Sequence, residues 1–376
     1  MVTYSEIALN IGIVFGFSTG LIFAPMSDNI EWRYMLAFGT ILPMLMIVLL
    51  CTGVMPESPR WLVSNGRLND ARNVLQNIYP NGHDIDQIIQ EISESITLEQ
   101  IAERHAIGWK TIFCSTPAIR RMMLVGVGTA VAQQVVGIDA IQYYLIDVIE
   151  RLGIPSNTSQ SGIILILLGT LKLTMIVVGG RLFDKHGRRP LFFVSLIGMA
   201  IALLAISIVF LMETSLRAGA ANMTVLVGLA FYLSFFSIGI GPGGWLIPSE
   251  IFSLSIRGRA MSIATICNRI AATVMSSTFL STVRLIGWSG FFFMLFCVCI
   301  IILAFMYYYL PETNGQSLES MALHFAEITG DTYILDAEAR IIANSTITPS
   351  TANPSPFQSY QSVNFRSSTV SSEQSH

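Results

Sequence analysis

Residues 161–183 read SGIILILLGTLKLTMIVVGGRLF, and Asp184-Lys185-His186-Gly187-Arg188-Arg189-Pro190 follows at once. Crossing the roughly 30 Å hydrocarbon layer of a bilayer takes about 20 mostly apolar residues in a helix. This stretch supplies them, with one lysine, Lys172, near its middle and a charged cluster at its end. Working outward, runs of the same kind occupy 7–26, 34–55 and 122–149 on one side, and 190–212, 224–248, 260–283 and 289–310 on the other. Lipid offers no partner for backbone polar groups, so each of these eight runs is expected to be helical. The whole chain agrees: 52% of its 376 residues are apolar and only 12% are charged, against about 25% in an ordinary soluble domain. That little charge cannot coat a soluble surface, so the sequence describes an all-α, multi-pass membrane protein.

The same composition excludes other classes. A net charge of −3 without a basic stripe offers nothing to track nucleic-acid phosphates. Cys51, Cys114, Cys267, Cys297 and Cys299 fall at no disulfide or zinc spacing. The five histidines lie outside the apolar runs. Neither a metal nor a cofactor is expected. No nucleophile–base pair or phosphate-binding glycine loop stands out, so the chain does not read as an enzyme.

Lysine and arginine set the orientation. Arg60, Arg67, Arg72, Arg104, Lys110, Arg120 and Arg121, then Lys185, Arg188 and Arg189, then Arg257 and Arg259 fall in alternate connections, whereas the opposite set holds Arg33, Arg151, Arg217 and Arg284. The first set is expected in the cytoplasm, which puts both termini there. Two sequons, Asn157-Thr158-Ser159 and Asn222-Met223-Thr224, fall in the opposite loops. The connection 56–121 repeats apolar residues at helical spacing (Ala71, Val74, Leu75, Ile78; Ile85, Ile88, Ile89, Ile92), which predicts short amphipathic helices. Residues 319–376 form a polar tail, expected to be disordered from about 344, where Ser and Thr dominate.

A weak repeat is present. Pro56-Glu57-Ser58 closes the second run and Pro311-Glu312-Thr313 closes the eighth, while Asn268 lies ten residues after Gly258 and Asn10 ten residues into the chain. The first two runs thus correspond to the last two of the later set. This predicts two six-helix halves, with 1–55 giving the last two helices of the first half and 122–318 all six of the second. The first four helices of the first half are expected to be missing.

Five motifs occur in one order: Pro56-Glu57-Ser58-Pro59-Arg60-Trp61-Leu62, Gln133-Gln134-Val135-Val136-Gly137-Ile138-Asp139, Asp184-Lys185-His186-Gly187-Arg188-Arg189-Pro190, Pro248-Ser249-Glu250-Ile251-Phe252 and Pro311-Glu312-Thr313-Asn314-Gly315. Together they resemble the sugar porter family of the major facilitator superfamily over about residues 1–320. Asp139, Lys172 and Asn268-Arg269 make the likeness nearest to its polyol and inositol branch. The resemblance implies a major facilitator fold, here about eight of twelve helices. It also implies alternating-access transport of polyols or monosaccharides, with proton coupling left open. A truncated, non-transporting isoform or sugar sensor of the same descent is the alternative. The plasma membrane is the expected location, with an organelle membrane the alternative, and the oligomeric state is open.

By the resemblance, Gln133, Gln134, Asp139, Tyr143, Trp245 and Asn268 line the substrate cleft, and Asn10 matches a contact from the first half. The residue chemistry suits that task, because amides both donate to and accept from hydroxyl groups. Asp139 and Lys172 sit in consecutive spans, where lone charges are expensive; they are expected to pair and to face the cleft, either as a structural ion pair or in polyol recognition and proton coupling. Glu6 and Arg269 are further candidates for coupling, or else reach to the cytoplasmic edge. Gly239-Ile240-Gly241-Pro242-Gly243-Gly244-Trp245 is expected to break its helix. Asp184, Arg188, Arg189, Glu250 and Arg257 fall at cytoplasmic helix ends and are expected to form ion pairs that hold an inner gate.

Overall fold

A computed structural model of the chain describes residues 2–23, 28–52, 55–80, 84–104, 109, 112, 116–153, 159–212, 218–253, 255–331 and 333–335. The sequon at Asn157 and the tail from 344 lie outside them. Among the described residues all regular structure is helical. Seven helical stretches among the described residues are long and apolar enough to cross a membrane.

The helices fall into two units. The first contains 1–38, 120–252 and 257–321. Its elements are α1 (Val2–Phe23), α2 (Asp28–Gly39), and then the helices of the later half. The expected run 122–149 is not one helix. It divides into α7 (Pro117–Val135), α8 (Ile138–Tyr143) and α9 (Leu145–Arg151). The first division falls at Gly137, whose φ of +91° is open to glycine and strained for other residues. Next come α10 (Ser159–His186), α11 (Arg188–Leu211), α12 (Ala218–Ile238) and α13 (Ile240–Ile251). The break between α12 and α13 lies at Gly239, the first residue of the stretch expected to break the helix. Pro242 sits in the first turn of α13, where a missing N–H costs nothing. The two last runs join as α14 (Arg257–Tyr309), with a non-helical break at Gly287 that leaves arms 257–286 and 288–309.

α11 packs along α12 and α14, and α10 along α1 and α12. Small residues permit these approaches, as is usual between membrane helices. A Cβ on Gly198 would meet the Phe235 ring at 2.3 Å, and one on Gly169 would meet Phe17 at 3.1 Å. Buried Phe192, Phe279, Phe291, Phe292 and Tyr232 fill the interior of this unit. Asn222 departs from expectation. It lies within α12, and its Nδ2 donates to the Leu152 carbonyl at 2.6 Å. An amide so held does not present itself as a glycosylation acceptor.

The second unit contains 39–119, 253–256 and 322–376. α3 (Ile41–Cys51) is apolar yet has no buried residue, an exposed apolar surface of the kind that meets lipid or another protein segment. α4 (Pro59–Ser64), α5 (Leu68–Ile78) and α6 (Ile85–Arg104) pack on one another around Leu62, Val63 and Ala71, with Val74, Ile89, Ile92 and Ile96 against them. Exposed ion pairs Arg60–Glu99 at 2.6 Å and Arg67–Asp70 at 2.8 Å decorate the outside and add little stability. α15 (Leu318–Thr329) runs on from the first unit, with Met321, Ala322, Phe325 and Ala326 buried at helical spacing.

Candidate functional site

Three amides meet in the interior of the first unit. Gln133 and Gln134 end α7, and Asn268 faces them from α14. All three are buried. Asn268 Nδ2 donates to Gln133 Oε1 at 2.9 Å and to the Ala130 carbonyl at 2.7 Å. Gln133 Nε2 donates to the Gly241 carbonyl on α13. Gln134 Nε2 reaches Asn268 Oδ1 at 3.5 Å, the weakest link. Adjacent residues on a helix point about 100° apart, which explains why Gln133 is consumed by its neighbours while Gln134 is not. Gln134 Oε1 is buried without a donor among the described residues. Asn10 on α1, only 1% exposed, is in the same condition: its Nδ2 donates to the Glu6 carbonyl at 2.8 Å, and its Oδ1 has no donor.

Glu6, Asp139, Lys172 and Arg269 form a group of charges in this unit. Lys172 and Arg269 both act electrostatically on Glu6 and on Asp139. The expected ion pair between Asp139 and Lys172 does not form. Lys172, 7% exposed, instead donates from Nζ to Gln142 Oε1 at 2.6 Å and stands 5.8 Å from the Phe236 ring centre. Asp139 and Gln142 are three residues apart on α8, so they share a face. The ammonium docks on that face but takes the neutral amide. Arg269 lies with its guanidinium 5.5 Å from the Trp245 ring centre, a cation–π contact. That contact holds it beside α13.

Tyr143, expected in the cleft, is 65% exposed. Its neighbour Tyr144, which the sequence reading passed over, stacks face to face on Phe279 with centroids 4.6 Å apart. The only available signal was the tyrosine pair itself.

The charged helix ends form a second cluster. Arg188 Nη2 and Nε both bind Glu250 Oε1, at 2.9 and 3.2 Å. Arg188 Nη1 also reaches the Asn314 side chain, and Thr313 donates to Glu250 Oε2. Arg189 turns elsewhere: Nη2 donates to the Tyr307 carbonyl at 2.9 Å, and the guanidinium faces Phe193 and Tyr307. Arg257 is exposed and stands outside the cluster, and the side chain of Asp184 lies outside the described residues. The expected five-residue ion-pair network is therefore centred on one pair, Arg188–Glu250. Glu312 of the closing motif Pro311-Glu312-Thr313 joins the cluster through the backbone N–H groups of Arg188 and Arg189, not through an ion pair.

Helices apolar enough to cross a membrane enclose buried amides with unused acceptors and a group of mutually interacting charges, a polar interior of the kind membrane transport proteins carry. The chain belongs to the sugar (and other) transporter family, which it matches over residues 1–325. It is 35% identical over 325 residues to probable polyol transporter 4 of Arabidopsis thaliana, covering 86% of this chain and 60% of that protein. It is 31% identical to polyol transporter 5 of the same plant, covering 85% of this chain and 61% of that one. Among solved structures it resembles the major facilitator proton:xylose symporter XylE bound to 6-bromo-6-deoxy-D-glucose. The TM-score is 0.66 and the identity 28%, over 86% of this chain and 66% of that one. The fold is thus an all-α major facilitator fold in a multi-pass membrane protein. The chain spans about 60% of the length of these two curated relatives.

Proposed function

We propose that this chain forms part of a carrier of polyols or monosaccharides that works by alternating access in the plasma membrane, with both termini cytoplasmic. The observation that carries this reading is the pair of buried, donor-less acceptors, Gln134 Oε1 and Asn10 Oδ1. A buried acceptor left without a donor costs about 1–3 kcal/mol. A ligand rich in hydroxyl groups removes that cost and can accept from amide donors as well. The relatives named as polyol transporters and the xylose symporter support the same ligand class.

Proton coupling is part of the proposal. Glu6, Asp139, Lys172 and Arg269 place two acids and two bases within electrostatic reach at a depth where each charge is expensive. Proton movement there changes the balance between states, which is what coupling requires.

The test is uptake of labelled mannitol, inositol, xylose and glucose by yeast deprived of their own carriers, alongside equilibrium binding of the same compounds to the purified chain. Saturable binding of at least one of them, lost in Gln134→Leu, supports the reading. Absence of saturable binding of all four overturns it. Asp139→Asn is expected to change substrate preference or the pH profile of uptake, and an unchanged profile removes Asp139 from both roles.

A further inference from the structure

Glu6, Asp139, Lys172 and Arg269 act on one another, yet among the described residues no two of them form an ion pair. Each cation rests on neutral groups instead. Lys172 on α10 donates to Gln142 Oε1 at 2.6 Å and stands 5.8 Å from the Phe236 ring centre. Arg269 on α14 lies over the Trp245 ring. The acids are left open. Asp139 is partly buried in the first turn of α8, and no described residue donates a hydrogen bond to its carboxylate. The charges of Lys172 and Arg269 reach it, and Glu6 on α1 and Tyr232 on α12 feel its own. The Tyr232 hydroxyl is spent elsewhere, on the Val136 carbonyl at 3.0 Å.

Gln142 is what diverts the lysine. Asp139 and Gln142 lie three residues apart on one face of α8, and the flexible four-carbon stem of a lysine can serve either. A carboxylate would add Coulomb attraction between two full charges to the hydrogen bond. An ammonium held by an amide beside an open carboxylate is therefore an arrangement that the amide enforces. An open carboxylate keeps about four lone-pair sites, enough for two neighbouring hydroxyl groups of one ligand. A paired one must first release its ammonium, and rearrangement before binding subtracts from affinity.

We propose that Gln142 is a positioning residue of the substrate site: by holding the Lys172 ammonium it keeps the Asp139 carboxylate out of an ion pair and open to two adjacent hydroxyl groups of a polyol. This rests on the carrier reading for the ligand, but not for the placement of the ammonium.

Two measurements on the full chain in lipid nanodiscs test it. The first is labelling of Asp139 by dicyclohexylcarbodiimide without any polyol, read by peptide mass spectrometry. The reagent takes protonated carboxyl groups, and a paired ammonium keeps the carboxyl ionised. Labelling is expected to slow at least threefold in Gln142→Leu and to recover at least the wild-type rate in Gln142→Leu/Lys172→Met. The second is equilibrium binding of mannitol, expected to weaken at least tenfold in Gln142→Leu and to regain at least threefold in the double variant. Gln142→Glu, whose carboxylate also holds the ammonium, should bind mannitol at least threefold more tightly than Gln142→Leu. Gln142→Asn, too short to reach the ammonium, serves by the same criteria if the leucine variant does not fold. Labelling that is unchanged or faster in Gln142→Leu overturns the proposal: the ammonium has then not moved onto Asp139, or α8 has merely loosened. So does mannitol binding that stays equally weak in the double variant, the mark of a Gln142 that touches the ligand itself. A wild-type chain that binds no polyol would strike the carrier reading and leave the placement of the ammonium to be judged by the labelling.

Discussion

The Glu312 carboxylate caps α11 at Arg188: Oε1 accepts the Arg188 backbone N–H at 2.9 Å, and Oε2 accepts that of Arg189 at 3.1 Å. Gly187 precedes them with φ +88°, and a Cβ there would come 2.9 Å from Glu312 Oε2. A carboxylate at a helix N-terminus meets both unpaired donors and the positive end of the helix dipole. Burial raises the Glu312 pKa, but the backbone N–H groups of Arg188, Asn314, Arg189 and Thr313 outweigh it, so the carboxyl titrates below its ordinary 4.5. A pKa lower in the folded chain than in the unfolded one gives stability that is complete above 4.5 and disappears as pH falls through the folded value. Glu312→Gln should therefore cost about 1 kcal/mol at pH 7, read as a melting-temperature loss of about 2 °C. The loss should shrink toward zero as pH falls below 4.5 and through the folded value. A gap of equal size at both ends of a pH series of thermal melts would refute the cap as a charged one.

Asn268 and Gln134 should separate structure from recognition. Asn268→Leu strips the donor from Gln133 Oε1 and from the Ala130 carbonyl, an expected loss of about 1–3 kcal/mol. Gln134→Leu removes only one long bond and a donor-less oxygen, so its melting point should barely move. Both variants should bind polyol at least tenfold more weakly. Gln134→Leu with wild-type affinity would show that its orphan oxygen does not face the ligand.

Much of the fold could be read from the chain because lipid imposes a simple demand: 161–183 must be apolar for the length of a helix, and it is. The amides could be read too, since Gln133, Gln134 and Asn268 have few other reasons to lie among lipid-facing residues. What escaped depended on distances of an ångström or so. Whether the Lys172 ammonium takes Asp139 or Gln142 is decided by one helical turn, and both positions look alike in sequence. The break at Gly239 falls inside the stretch whose glycines and proline announced it, whereas its close contact with Ser195 is one that no local pattern announces. Glu312 was quoted as part of a motif, yet its partners are two backbone amides more than a hundred residues earlier.

Gly179 should tolerate no side chain. A Cβ there would come within 2.9 Å of the Ile238 Cα and of the Ser237 carbonyl oxygen. Those are backbone atoms, which cannot rotate aside as a side chain would. Gly179→Ala should cost about 1–3 kcal/mol through separation of α10 from α12. Gly258 is the control. It lies in the first turn of α14 with nothing within 4 Å of its virtual Cβ, and Gly258→Ala should leave the melting temperature unchanged or slightly raised. Equal effects of the two substitutions on thermal unfolding in one detergent would contradict the close approach.

The four membrane charges make a prediction about additivity. Lys172 lies against Gln142, and its charge acts on both Glu6 and Asp139. Lys172→Met deletes a cation that both acids feel and leaves Arg269 as their remaining counter-charge. Glu6→Gln deletes one acid. If the charges balance as a set, the double variant should unfold less readily than the sum of the two single losses implies, by about 1 kcal/mol. Gln142→Leu should be destabilising beside Lys172 and close to neutral in the Lys172→Met background, since its acceptor then has no ammonium to hold. A double-mutant cycle by thermal unfolding measures both couplings. Additive losses, within about 0.3–0.5 kcal/mol, would mean that the four groups are solvated separately and do not act as one cluster.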